Sequence, residues 1–198
     1  MLSSERRPSG FLLGVAALAL LVLPFITTFD DFLTSAAMRL GLDAAVQHVV
    51  PIEARLVVAI LFVLQVPASS YGSQIVLHTA QYSQPLWISW NCTGWQSLLI
   101  FGGTLLVGLR GELSPAVKSQ VVLIGLASIV LINLARISVV CLLAASSGYV
   151  PAVLFHDYGG TLLVISWLLV FWTLVHRFLL PEPGRYFSPP LGEDRVGV

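Results

Sequence analysis

Residues 120–145 read QVVLIGLASIVLINLARISVVCLLAA, an apolar run in which Arg136 is the sole charged side chain. A hydrocarbon layer about 30 Å thick needs about 20 helical residues to cross it, and this run is longer. Placing a cation at the bilayer centre costs at least about 2.5–3.5 kcal/mol on insertion scales. The stretch therefore reads as a membrane helix that retains Arg136 for a purpose. Three further runs reach spanning length on either side of it: Phe11–Phe29, Trp95–Leu109 and Thr161–Leu180. A fifth, Leu56–Ala68, is shorter and is interrupted by Gln65 and Pro67, which suits a short or half-inserted helix.

Composition agrees with that reading. The chain has 198 residues, 57% of them in the AVILMFWYC set and only 10% charged, where a soluble domain carries about 25%. Mean hydropathy is +0.89. Net charge is zero, with no basic surplus to hold a phosphate backbone, so nucleic-acid partners are not expected. Two cysteines, Cys92 and Cys141, are too few for a disulfide scaffold and form no C-x-x-C pair. No His or acidic pair has ligand spacing, so neither a metal nor another cofactor is expected.

Basic residues orient the chain. With four crossings, Arg6, Arg7, Arg110, Lys118, Arg177, Arg185 and Arg195 fall on one side, and only Arg39 and Arg55 on the other. The positive-inside rule then puts both termini in the cytoplasm. Arg6 and Arg7 before an apolar run resemble a secretory signal, but no small-residue cleavage site follows, and a spanning anchor is expected. The outer face holds Asp30–Asn91 and Ser146–Gly160. Within the former, Gln74–Ala80 and Pro85–Asn91 are β-branched and aromatic, and read as a hairpin around Gln81–Gln84. The expected fold is an all-α integral membrane protein: four full transmembrane helices, one short or half-inserted helix and a small extracytoplasmic hairpin. One multipass membrane domain covers residues 1–180, and residues 181–198, rich in Pro and Gly, form a flexible cytoplasmic tail. Pro181-Glu182-Pro183 in that tail looks like one sorting motif, but its cytoplasmic position makes the match a coincidence.

Three residues carry chemistry. Arg136 falls roughly 6 Å below the outer surface if the apolar core ends near Val140, with Asn133 beside it on the same helical face. Cys92, in Asn91-Cys92-Thr93-Gly94-Trp95, stands at the outer entrance of the second span. Free amides at a helix start favour thiolate, and Gly94 admits a substrate backbone. His156, in Phe155-His156-Asp157, precedes the fourth span as a loop residue and can move protons near neutral pH. Each alone has a bland reading: a snorkelling anchor, a small apolar filler, a solvated imidazole. Cys141 fits the filler description, and His78 in the hairpin is a reserve candidate. Together at one leaflet, a thiolate, a proton carrier and a fixed cation make the parts for acyl transfer through a thioester.

At these residues the sequence resembles the exosortase/archaeosortase family of multipass membrane cysteine transpeptidases. The likeness covers residues 50–175 and rests on Asn91-Cys92-Thr93-Gly94 through Phe101-Gly102-Gly103, on Asn133-Leu134-Ala135-Arg136 and on Phe155-His156-Asp157. It implies Cys92, Arg136 and His156 as catalytic residues, with Asn133, Thr93, Gly94 and Asp157 in support. It further implies a membrane-embedded protease or transpeptidase at the extracytoplasmic face of the cell membrane. Such an enzyme removes the C-terminal sorting signal of exported proteins and passes them to a lipid or cell-envelope acceptor. The chain is shorter than many members, which leaves room for an accessory membrane protein in substrate recognition. Two other readings compete. A non-catalytic assembly or transport subunit would need Arg136 but not Cys92, and one charge lines no pathway by itself. A thiol oxidoreductase would need Cys92 and Cys141 to be neighbours.

Overall fold

The computed structural model describes residues 31–78, 83–110 and 113–180. The described chain is mostly helical. Three stretches are long and apolar enough to cross a membrane: Leu42–Val63, Pro115–Ser147 and Tyr149–Phe178. The expected first span, Phe11–Phe29, and the expected tail lie outside the described residues. The chain divides into two compact units, Met1–Gln96 and Ser97–Val198.

The first unit contains α1 (residues 31–39), α2 (Leu42–Gln47) and α3 (Val50–Val63). Here the structure corrects the segment expected over Leu56–Ala68. The helix starts earlier, with Pro51 in its first turn, where a missing N–H costs no bond. It also stops earlier. Gln65 adopts a left-handed conformation (φ 62°), the Val66 amide donates to the Leu61 carbonyl and the Gln65 amide to Phe62. That double bond pattern is a Schellman stop, and Pro67 prevents any resumption. The apolar length Leu42–Val63 is 22 residues, sufficient for a full crossing where a half-inserted helix was expected.

After Pro67 the chain forms β1 (Ala68–Tyr71), β2 (Gln74–His78) and β3 (Ser83–Trp87), an antiparallel sheet in the order β1-β2-β3. The registers pair Ser69 with Val76 and Val76 with Pro85. Gly72 (φ 59°) makes the β1–β2 turn possible. The sequence reading had two strands. The third, ASSY, is short and polar, and it is recruited because its backbone completes the ladder beside β2. Strand β2 alternates strictly, with Ile75 and Leu77 fully buried. The sheet packs against α3, whose Val50, Ala54, Val57 and Leu61 form the buried stripe of that helix.

A short 3₁₀ turn, Trp90–Thr93, leads into α4 (Trp95–Gly108). At 14 residues α4 is about 21 Å long, shorter than the hydrocarbon layer and so shorter than the expected full span. The second unit continues with α5 (Pro115–Ser147), 33 residues capped by Ser114, which accepts from the Val117 amide. Its buried positions Val121, Gly125, Ile129, Asn133, Ile137 and Cys141 recur every fourth residue. Gly148 (φ 90°) reverses the chain, and helix resumes at once as α6 (Tyr149–Leu154). A π turn, Phe155–Gly159, then joins it to α7 (Gly160–Phe178). The loop expected over Ser146–Gly160 is therefore helical. Pro151 lies in the first turn of α6, where it is tolerated, and the Gly159-Gly160 pair falls where the π turn meets α7. The core of this unit is aromatic: Phe101, Trp167 and Phe171 lie 5.3–5.6 Å apart, ring to ring. Gly125 makes room for the Phe101 ring, which a Cβ there would strike.

Candidate functional site

The seven residues singled out from the sequence fall into both units. Cys92, Thr93 and Gly94 belong to the first; Asn133, Arg136, His156 and Asp157 belong to the second.

Cys92 is the third residue of the 3₁₀ turn, not of α4 itself. Its amide donates to the Ser89 carbonyl at 2.9 Å, and its Sγ lies 3.6 Å from Ser89 Oγ. Thr93 Oγ1 donates to the Trp90 carbonyl at 2.8 Å and closes the turn from its other end. Gly94 sits at φ 76°, a left-handed position that separates the 3₁₀ turn from α4. Its role is thus conformational: any side chain would strain the junction that lets the turn and the helix take different axes. Asn91, between the turn's first residue and Cys92, accepts three hydrogen bonds on Oδ1. They come from Thr34 Oγ1 (3.3 Å), Trp95 Nε1 (3.1 Å) and Gln96 Nε2 (2.7 Å). Gln47 holds the same turn from α2, accepting from the Trp90 amide at 2.9 Å while donating to Ser73 Oγ at 3.0 Å.

In the second unit Asn133 is buried within the inner stripe of α5. Arg136 follows on the same helix and is half-buried. Its Nε is shielded from solvent and has no hydrogen-bond partner among the described residues. The aliphatic part of the side chain lies against Gly160, the first residue of α7. A Cβ there would sit 2.8 Å from Arg136 Cδ and 3.1 Å from Nε. Gly160 is therefore a notch for Arg136. The structure brings the guanidinium stem to the end of the turn that carries His156 and Asp157.

His156 occupies that π turn, a wide helical turn formed by one extra residue. Its Nδ1 is 2.9 Å from Asp157 Oδ1. With Nδ1–H donating to the carboxylate, the neutral ring carries its lone pair on Nε2. A carboxylate that fixes one nitrogen while the other handles protons is the arrangement general base catalysis uses.

His78, the reserve candidate, is engaged differently. Its Nε2 is 2.9 Å from Ser69 Oγ and its Nδ1 is 3.2 Å from Ser83 Oγ, so the ring clasps all three strands. Cys141 is buried in the inner stripe of α5, as the filler reading had it. Among the described residues no group of three His, Cys, Asp or Glu side chains could hold a metal ion. Sequence reasoning missed Ser89, Asn91 and Gly160. The paired glycines Gly159-Gly160 at a helix start were the one available signal, since Gly inside a helix needs a packing reason.

The family model of the transmembrane exosortases matches residues 6–173 of the chain. Among curated proteins and solved structures, none matches it.

Proposed function

The chain belongs to the transmembrane exosortase family, and from that membership we propose that it is a membrane-embedded cysteine transpeptidase acting on the C-terminal sorting signals of exported proteins. The observation that carries this reading is the family match over residues 6–173, which encloses Cys92, Arg136 and His156. Those three residues are the nucleophile, the oxyanion stabiliser and the proton carrier of the proposed reaction.

The Cys92 thiolate attacks the carbonyl carbon of the scissile peptide bond, and a C–S bond forms. Negative charge gathers on the carbonyl oxygen, where the Arg136 guanidinium stabilises it. The C–N bond then breaks. The leaving amine, at the head of the departing membrane tail, takes its proton from the His156 imidazolium. The exported protein is left as a thioester on Cys92. A hydroxyl or amine of a lipid or cell-envelope acceptor gives its proton to His156 and attacks the thioester, which releases the thiolate. The His156–Asp157 contact supports the proton-carrying role, and the Gly160 notch supports a fixed guanidinium. The site is proposed to face the extracytoplasmic side, with the C-terminus in the cytoplasm and an accessory membrane protein able to add substrate contacts.

The test co-expresses the chain with a tail-anchored exported protein from the same genome and follows removal of the tail. Cys92→Ser, Arg136→Ala and His156→Ala are each expected to slow processing by more than about 1,000-fold. Processing that survives Cys92→Ser overturns the enzyme. If only Arg136→Ala were harmful, a non-catalytic assembly subunit would be the better description.

A further inference from the structure

The turn that presents Cys92 is tied down by one atom more than by any other. Asn91 Oδ1 takes donors from α1, through Thr34, and from the first turn of α4, through Trp95 and Gln96. The indole Nε1–H of Trp95 can only donate, so the oxygen of the carboxamide, and not its nitrogen, must face this cluster. Three donors on one oxygen hold the carboxamide plane against rotation. Since Asn91 precedes Cys92 within a four-residue turn, fixing the first fixes the backbone of the second.

We propose that Asn91 is a positioning residue for Cys92, its acceptor oxygen joining α1 and α4 to the turn that aims the sulfur at the scissile carbonyl. The role rests on Cys92 being the nucleophile of the function proposed above. It acts through geometry: a nucleophile displaced by about 1 Å loses about 100-fold in rate, whereas binding of a remote part of the substrate is unaffected. The oxygen does the work, so an aspartate at this position is a functional substitute and an alanine is not. Trp95→Phe offers a second probe, because its ring can keep the stack on Trp90 (centroids 5.5 Å apart) while losing the donor.

Two readouts on the full chain test this, both in a Cys141→Ala background so that Cys92 is the lone thiol. The first is the rate of Cys92 alkylation by a maleimide as a function of pH. Asn91→Ala is expected to change the high-pH plateau rate by at least about threefold. Asn91→Asp should keep that plateau and move the profile to higher pH, because an added anion disfavours the thiolate. The second is tail removal, where Asn91→Ala should lower kcat by about tenfold with KM within about twofold. Trp95→Phe should lower kcat less, and the double variant should lose less than the product of the two. The proposal is overturned if Asn91→Ala and Trp95→Phe both alkylate like the parent, or if Asn91→Asp is as impaired as Asn91→Ala at the plateau. Altered alkylation together with processing that survives Cys92→Ser would keep the positioning role and remove the reaction it serves.

Discussion

At the scale of single residues, chemistry-bearing side chains were easier to find than the residues that seat them. A cysteine, an arginine and a histidine announce themselves by what they can do. Gly160 does not, yet a Cβ at that position would lie 2.8 Å from Arg136 Cδ. Gly160→Ala is therefore expected to displace the guanidinium and slow tail removal by at least about tenfold, with a thermal midpoint close to the parent's. A processing assay beside a melting curve checks both halves of that statement. The converse holds for His78, whose ring nitrogens serve Ser69 and Ser83. His78→Ala should leave processing within about twofold of the parent and lower stability by about 1 kcal/mol, the ordinary net value of a hydrogen bond. From sequence the two histidines differed only in context; their partners separate them.

At the scale of elements, helices were legible as apolar runs, but their ends were set by local backbone chemistry. The end of α3 shows why. Gln65 holds a left-handed conformation (φ 62°) that glycine adopts without strain. Gln65→Gly is expected to raise stability by about 1 kcal/mol, seen as a higher melting temperature in detergent with activity retained. The segment around His156 shows the opposite case. Its residues read as a loop because they are polar and end in two glycines, yet they form a π turn inside continuous helix. Polarity there reflects what the turn carries. Arg136 lies about 16 Å along α5 from the helix end at Ser147, deeper than the apolar run suggested.

At the scale of the whole molecule, the apolar helices keep much of their surface outward. Only 22–33% of each candidate spanning window is buried inside the protein, which leaves the remainder for lipid. Leu131, near the middle of α5, is exposed. Leu131→Arg should cost about 2.5–3.5 kcal/mol on insertion scales, and quantifying the chain in the membrane fraction measures it. Arg136, five positions on, is half-buried, with its stem packed against Gly160. The family match and the three apolar helices together make this a multipass membrane protein. The sequence alone determined that environment, because hydrophobic run length is a property of composition and a bilayer imposes a fixed thickness. It also determined the chemical types available for reaction. Only the tertiary structure decided that a short polar strand joins the sheet, that Asn91 gathers three donors and that a glycine receives an arginine. The Thr34–Asn91 and Arg136–Gly160 contacts join residues 57 and 24 positions apart, and the periodicity of one segment holds no record of what a distant segment brings to it.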